Sequence, residues 1–187
     1  MKKITLILSC ICILFYSCEN KPKVVEKSRE VLKTRIMEME DSILLIKDNT
    51  EDKNSDMRGI KNIELINRLT AYYTAFPKDE YAADCLFKLH MKLTELNAHE
   101  KALAYGDTLL LSFPNYKNRD FILESMASTY DVLIEPRDTS KIRYYYSLLL
   151  KEKNLPKEKR DGIVNRLKYI DLDFFSYTEL SQKQVSR

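Results

Sequence analysis

Few residues in this chain have the types and the spacing that catalysis or metal binding requires. The 187 residues include four cysteines and only two histidines, His90 and His99. The sequence contains no Gly-x-Ser-x-Gly, His-Glu-x-x-His or phosphate-loop motif, and no Cys–His pairing. Acidic pairs such as Asp171 and Asp173 are more simply explained as a solvated helix terminus. We therefore predict a protein that is not an enzyme and that has no metal site and no cofactor.

The composition narrows the class of protein further. Charged residues make up 32% of the chain and its mean hydropathy is −0.39, which excludes a multi-span membrane protein. The 44% of hydrophobic residues is too high for a wholly disordered chain. The chain has only three glycines, which argues against glycine-rich cofactor loops and against turn-dense β folds. A chain of this length is expected to form one domain with a single core.

The most specific signal lies at the N-terminus. The chain starts with Met1-Lys2-Lys3, continues with an apolar run from Ile4 to Tyr16, and reaches Ser17-Cys18. A basic start, an apolar stretch and a small residue at the cut are the parts of a secretory signal peptide. The apolar run is shorter than the ~20 residues that a membrane-spanning helix needs. We predict a signal peptide over residues 1–17.

The end of this segment resembles a bacterial lipobox. The matching residues are Leu14-Phe15-Tyr16-Ser17-Cys18, in which Tyr16 is bulkier than the residue usually found there. The resemblance implies cleavage before Cys18, diacylation of its thiol and acylation of its new amine. Two or three acyl chains hold a protein to a membrane far more firmly than one. We expect a lipid-anchored protein of the bacterial cell envelope, on the outer membrane and facing the periplasm; an ordinary secreted protein or a retained anchor helix is the alternative.

Processing of this kind would leave one cysteine in the mature body. Cys10 and Cys12 would leave with the signal peptide, so Cys85 would be the remaining body thiol. An exported protein with one body cysteine is not a disulfide scaffold, and we expect Cys85 to be a buried thiol, with an intermolecular disulfide as the alternative. Without Lys2 and Lys3, the 29 basic and 28 acidic residues give a net charge of +1. A net charge this close to zero does not favour nucleic-acid binding.

A long amphipathic helix is predicted after a lipidated tether over residues 18–23. Its apolar residues are spaced alternately by four and three, apart from a break at Arg29: Val25, Leu32, Ile36, Met39, Ile43 and Ile46. This seam is typical of a coiled coil, which would make the protein a homo-oligomer, or of a helix docked on its own chain. We assign the helix to residues 24–48. The polar, aperiodic residues 49–58 are predicted to be a linker.

From residue 59 onward, prolines separate segments whose apolar residues follow a helical period. No stretch alternates with a period of two, so the body is predicted to be all-α. Phe76-Pro77 and Phe113-Pro114 lie 37 residues apart, and the same offset aligns Leu86 with Leu123 and Leu89 with Met126. Helix pairs that recur at such a period indicate an α-solenoid. We predict a short solenoid of about three helix pairs over residues 59–175, preceded by the amphipathic helix and followed by a tail over 176–187.

This body resembles the tetratricopeptide repeat. The residues that carry the resemblance are Leu86, Leu89, Leu93, Ala102, Leu109 and Pro114, and the segments 76–82 and 101–114 are similar to repeats of outer-membrane lipoproteins such as the tetratricopeptide component of the barrel-assembly machinery. The resemblance covers residues 60–172. His90 replaces the usual small residue at the helix crossing and Gly106 replaces the usual aromatic residue. We expect His90 to push the pair apart, with Tyr105 or Phe87 filling the gap.

The resemblance implies that the first helix of each pair lines a groove that binds a partner. The corresponding positions, which we call the predicted groove, are Asp84, Phe87, Met91, Glu95, Phe121, Glu124, Ser128 and Asp131. Four of these eight residues are acidic, which favours a basic or amine-bearing peptide segment. In the run Tyr144-Tyr145-Tyr146, consecutive residues point about 100° apart. We expect Tyr145 and Tyr146 to pack, with Tyr144 at the surface, where a partner contact is the alternative interpretation.

Together these features predict a lipid-anchored adaptor without catalytic activity. It would mediate protein–protein interaction in the bacterial cell envelope, with an unidentified protein as partner and with the membrane bound through its lipid. The alternative is a self-associating structural lipoprotein that oligomerises through the helix over residues 24–48.

Overall fold

The computed structural model describes residues 21–47 and 53–185, so the signal peptide, Cys18 and the first half of the tether lie outside the described residues. Within these ranges the chain forms helices and no strand, as the all-α prediction requires. The helices are α1 (Lys21–Lys47), α2 (Lys53–Ala75), α3 (Glu80–Glu95), α4 (His99–Ser112), α5 (Arg119–Val132), α6 (Thr139–Leu149), α7 (Lys157–Lys168) and α8 (Phe174–Val185). In the described part of the chain, none of them is long and apolar enough to cross a membrane.

The chain divides into two units after Pro77, and the first unit contains α1 and α2. These helices form an antiparallel hairpin, in which Arg68 donates to the carbonyl of Arg35 at 2.6 Å and Lys61 donates to Ser42. The buried side chains come from both helices: Ile36, Ile46, Leu65, Leu69 and Tyr72. The middle and the end of the apolar seam, at Ile36 and Ile46, are therefore buried in this hairpin, whereas Val25 at its start is 53% exposed.

Several predicted boundaries are wrong. Residues 53–58 of the predicted linker form the first turns of α2, and its residues 49–52 lie outside the described residues. A polar segment continues a helix when the apolar face that follows it is held by packing. The tail predicted over 176–187 is helical as far as Val185, and residues 21–23 of the tether belong to α1. The repeat domain predicted over 59–175 is divided, since α2 belongs to the first unit.

The second unit, Lys78–Arg187, begins with two helix hairpins. In the first, α3 packs against α4, and in the second, α5 packs against α6. Asp79 caps α3 by accepting from the backbone N–H of Tyr81 at 2.9 Å, and Asp138 caps α6 by accepting from that of Lys141 at 3.0 Å. α7 and α8 follow, joined by a hydrogen bond from Asn165 to the hydroxyl of Tyr177.

The turn between α3 and α4 is built around Asn97. An asparagine before a helix is a common N-cap residue. Asn97 instead has a φ of 57° and ends α3, with its N–H bonded to the carbonyl of Thr94 and the N–H of Ala98 bonded to that of Leu93. This is a Schellman motif, in which a left-handed residue satisfies the last carbonyls of a helix. Asparagine tolerates this conformation better than most residues.

The two hairpins place equivalent residues in equivalent surroundings. Leu86 and Leu123 are both fully buried, and so are Leu89 and Met126. Each of these pairs has the 37-residue offset found in the sequence. The apolar positions that align in the repeat therefore form the core of both hairpins, as expected for successive copies of one structural unit.

Contacts between successive first helices also recur at a near-constant separation. His90 of α3 bonds to Ser125 of α5 at 2.8 Å, and the two residues lie 35 positions apart. Glu124 of α5 pairs with Lys159 of α7 at 2.6 Å, again 35 positions apart. The second helices are joined at a similar spacing, since Tyr145 of α6 donates to Asp107 of α4, 38 positions earlier. This packing is compatible with a helical repeat.

His90 and Gly106 fit together where α3 and α4 cross. The side chain of His90 is fully buried, and its ring nitrogens lie 2.8 Å from the carbonyl of Ala102 and 2.8 Å from the Ser125 hydroxyl. A Cβ built on Gly106 would overlap Met126 Sδ and would lie 3.1 Å from His90 Nδ1. His90 and Met126 therefore fill the space above Gly106, and the expectation that Tyr105 or Phe87 fills it is wrong.

Burial lowers the pKa of His90, although the bond to the Ala102 carbonyl acts in the opposite direction. The imidazole is therefore neutral near pH 7, so Nδ1 donates to Ala102 and Nε2 accepts from Ser125. Cys85, on the same helix, is a fully buried thiol, in line with the unreactive role expected for it.

Candidate functional site

The structure places most of the predicted groove at the surface of α3 and α5. Glu95 and Phe121 are exposed. The side chains of intermediate burial are Asp84, Phe87, Met91, Glu124 and Ser128. These seven residues are accessible to a partner to different degrees. The eighth is not.

Asp131 lies in the interior with 2% of its surface exposed, so its assignment to the groove is wrong. Its carboxylate accepts from Arg166 Nε and Nη2 at 2.7 Å each and from Arg137 Nη2 at 2.6 Å. A buried carboxylate needs such partners because it has lost its hydration. The resemblance assigned the groove to the first helix of each pair and took no account of the arginines that cover the last turn of α5.

The guanidinium groups of Arg166 and Arg137 also connect α5 with the segment that follows α7. Arg166 also donates to the carbonyls of Tyr169 and Leu172, at 2.7 and 2.8 Å, and Arg137 donates to that of Ile170 at 3.2 Å. Arg166 lies over the ring of Tyr177 as well, 4.8 Å from its centroid. We interpret this cluster as a structural link. This cluster was not predicted from the sequence. The signal that could have indicated it is the 35-residue offset between Asp131 and Arg166.

An acidic and aromatic group lies at the start of the predicted groove. The ring of Phe87 lies 5.7 Å from that of Tyr116 and 5.9 Å from that of Phe121. The Tyr116 hydroxyl donates to Asp84 Oδ1 at 2.8 Å. We call Asp84, Phe87, Tyr116 and Phe121 the acid–aromatic site. Tyr116 was not among the predicted site residues because it lies in a loop, where helical spacing does not apply.

Burial, and then the neighbouring Asp84 carboxylate, raise the pKa of Tyr116 well above its ordinary value. The phenol therefore keeps its proton over the whole physiological range and always acts as the donor in this bond. The result is a fixed arrangement in which one carboxylate lies at the edge of an aromatic surface.

Lys117 lies next to this arrangement. Its Nζ is 3.1 Å from Asp84 Oδ1 and 5.8 Å from the centroid of the Tyr116 ring. Its side chain is 69% exposed, whereas that of Asp84 is 32% exposed. The lysine ammonium thus contacts both the carboxylate and the ring while most of its side chain is in solvent.

Two cavities adjoin the loop that carries Tyr116 and Lys117. One, of about 410 Å³, is lined on its α3 side by Glu80 and Asp84, and we call it the acidic cavity. The other, of about 570 Å³, is lined by four basic residues, Lys117, Arg119, Lys151 and Lys153, together with two acidic residues, and we call it the basic cavity. Of the predicted groove, Asp84 lines the acidic cavity. Neighbouring cavities of opposite charge favour different ligands.

The tyrosine run is mainly structural, as the simpler interpretation predicts. Tyr145 is buried and its ring stacks on that of Tyr130, with centroids 5.7 Å apart and planes 9° apart. Burial and the Asp107 carboxylate, which accepts from its hydroxyl, raise the pKa of Tyr145. Tyr146 is half-buried and Tyr144 is 55% exposed. Only Tyr144 is available to a partner.

Among the residues that the structure describes, no group of three or more histidine, cysteine or acidic side chains could hold a metal ion. Comparison of the chain with protein-family models, with curated proteins and with solved structures gives no match. Function is therefore inferred from the residues and their geometry.

Proposed function

We propose that the protein is a lipid-anchored adaptor without catalytic activity that binds another protein in the bacterial cell envelope. The observation that carries this proposal is the repeated contact between first helices, at a separation of 35 residues from α3 to α5 and from α5 to α7. Helix pairs that stack with a constant offset are the units of a tetratricopeptide-like solenoid. Each pair buries its apolar side on its neighbour and leaves the face of its first helix for a partner.

The exposed part of the predicted groove has the composition of a binding surface. Phe121 is 45% exposed and lies next to the half-buried Phe87, and Met91, one turn further along α3, is half-buried as well. Aromatic residues and methionine are enriched at protein interfaces, and a partner that covers them gains apolar burial. The acidic residues Glu95 and Glu124 lie on the same two helices. A helical or extended segment with apolar and basic side chains fits this surface.

The anchor rests on the sequence around Cys18. Lipidation would confine the adaptor to the membrane surface and raise its local concentration near membrane-bound partners. Labelling with radioactive palmitate tests the anchor, with the wild-type protein compared with Cys18→Ala. We expect label in the wild type and none in the variant. Equal labelling of both proteins would refute the anchor.

The adaptor role is tested by crosslinking and affinity capture from envelopes of the native organism. Glu95→Lys reverses a charge on α3, and the matched control Glu100→Lys reverses an equally exposed charge on α4. We expect Glu95→Lys to lower the recovery of the partner several-fold and Glu100→Lys to leave it unchanged. Equal recovery with both variants would discard the groove.

Self-association through α1 has less support, because part of the apolar seam on which it depends is buried in the α1–α2 hairpin. Ile36 and Ile46 are buried inside a single chain. Sedimentation of the detergent-solubilised protein should therefore give the mass of one protomer. A dimer at micromolar concentration would favour the alternative.

A further inference from the structure

We infer that the acidic cavity binds a cationic side chain of the partner, preferably arginine, and that Lys117 occupies this position in the unbound protein. This inference rests on the proposed adaptor function, which supplies the partner segment. It assigns a specific contact to that segment: a positive charge held by Asp84 against the ring of Tyr116.

The acid–aromatic site combines the two groups that recognise a cation. A carboxylate forms charge-assisted hydrogen bonds to ammonium and guanidinium groups, and the face of an aromatic ring attracts a positive charge within about 6 Å of its centroid. Asp84 and Tyr116 are held together by a 2.8 Å hydrogen bond, and the Phe87 ring supports Tyr116 from the side. The site is therefore formed before any partner arrives, which lowers the entropic cost of binding.

Lys117 shows that a cation fits this position. Its Nζ lies 3.1 Å from Asp84 and 5.8 Å from the Tyr116 ring centroid, which are the contacts expected of a ligand cation. The lysine is weakly held, because its side chain is 69% exposed and ion pairs at the surface contribute little. A guanidinium from a partner can make the same contacts and stack its planar group on the ring, which an ammonium cannot do. Lys117 therefore acts as an internal competitor.

The charge distribution around the loop separates the two cavities. Lys117 lines both cavities. In the acidic cavity it faces two carboxylates, those of Glu80 and Asp84. In the basic cavity it is joined by Arg119, Lys151 and Lys153, and Arg119 is paired with Glu152 at 3.1 Å. A positive side chain is attracted to the first cavity and repelled from the second. This asymmetry fixes the position at which a basic residue of the partner binds.

The probe for this inference is a short peptide, acetylated and amidated, with one central arginine and no other charge. Its control carries citrulline, which has nearly the same shape as arginine and no charge. Binding to the full-length protein in non-ionic detergent is measured by equilibrium dialysis and by chemical-shift changes. We expect the arginine peptide to bind at least several-fold more tightly than the citrulline peptide. Equal affinities would overturn the inference.

Two pairs of variants locate the binding position. Asp84→Asn should weaken binding of the arginine peptide about tenfold, since a hydrogen bond to a charged group is lost. Lys117→Met should tighten binding about two- to fivefold, because it removes a competing surface ion pair. The matched controls Asp120→Asn and Lys153→Met change charge by the same amounts at the basic cavity and should shift affinity less than twofold. Weaker or unchanged binding by Lys117→Met would contradict the inference, as would equal effects of Asp84→Asn and Asp120→Asn.

The adaptor proposal and this inference fail in different ways. If the peptide results are negative while the wild-type protein and Asp84→Asn recover the same partner from envelopes, the cation site is wrong and the adaptor remains. If the peptide results are positive while the wild-type protein recovers no partner, the cation site stands and the adaptor role is rejected. Lys117→Met changes a largely exposed side chain, so this variant gives an answer even if Asp84→Asn impairs folding.

Discussion

Each of the two units of the chain is stabilised internally by a different kind of contact. In the α1–α2 hairpin, the buried side chains among the described residues are apolar apart from the Tyr72 hydroxyl, and Arg68 donates to Arg35 at the surface. In the second unit the buried residues include His90, Asp131 and Arg166. An apolar seam tolerates a small shift of one helix along the other, whereas a buried hydrogen bond or ion pair has one satisfactory geometry. We therefore expect the second unit to have the more strictly specified packing.

The largest effect is expected from the removal of the buried carboxylate at the end of α5. Asp131→Ala leaves Arg166 and Arg137 without their acceptor, and breaking a buried ion pair in this way costs about 3–5 kcal/mol. Urea unfolding followed by circular dichroism measures the loss. The control Glu95→Ala breaks an exposed ion pair with Lys92 and should cost less than about 0.5 kcal/mol. Similar losses in both variants would contradict the structural role of Asp131.

The next largest effect is expected in the first unit. Ile36→Ala removes a fully buried side chain from the α1–α2 hairpin and should cost about 2–4 kcal/mol. Leu45→Ala, at a residue that is 72% exposed, should stay within about 0.5 kcal/mol. Hydrogen exchange should show the loss of protection in α1 and α2. If Ile36→Ala removed the protection of α5 to the same degree, the two units would not differ as proposed.

A smaller effect is expected where α3 and α4 cross. Gly106→Ala places a methyl group against Met126 and His90, and overpacking of this kind costs about 1–3 kcal/mol. Gly162→Ala is the matched control, since a Cβ there would meet nothing within 4 Å. Because alanine favours a helix interior, the control should gain up to about 1 kcal/mol. Thermal unfolding measures both changes. Opposite signs support the close contact, and stabilisation by both variants would exclude it.

The smallest effect is a dependence on pH that belongs to the second unit. Burial lowers the pKa of His90 from the 6.5 of an unperturbed histidine. Below pH 6.5 the unfolded chain takes up a proton that the folded chain does not. The free energy of unfolding therefore decreases as the pH is lowered, by at most about 1.4 kcal/mol per pH unit from this group. Well above pH 6.5 the imidazole is neutral in both states, and this group no longer contributes to the slope. Urea unfolding between pH 5.5 and 7.5 should show a smaller slope for His90→Gln, and an unchanged slope would refute the buried neutral imidazole.

The helices of the second unit, and the pairing of α3 with α4 and of α5 with α6, could be predicted from the sequence, whereas the pairing of α2 with α1 was not predicted. Apolar periodicity, prolines and the 37-residue offset are enough to identify the hairpins and to bury Leu86, Leu123 and Tyr145. These features are local or repeat along the chain, so a single sequence displays them. Polarity was a poor guide to helix ends, since residues 53–58 are polar and helical. Asn97 is a second example, because asparagine is common at both the start and the end of a helix and its presence does not show which end it marks.

The polar contacts that join one hairpin to the next could not be predicted in the same way. The resemblance to the tetratricopeptide repeat placed Asp131 in the groove, yet Arg166 lies 35 positions later and covers it. The fit of His90 to Gly106 depends on Met126 from a third helix. Such contacts depend on the rotation of helices that are distant in sequence, which periodicity does not record.

The central claim is that the face formed by the first helices binds the partner. Photo-crosslinking in native envelopes tests it most directly, with a photoreactive residue at Phe121 of α5 or at Leu111 of α4. Both positions are exposed, Phe121 to 45% and Leu111 to 82%, but only Phe121 belongs to the predicted groove. We predict a discrete crosslinked product from position 121 and none from position 111. An equal or higher yield from position 111 would contradict the claim.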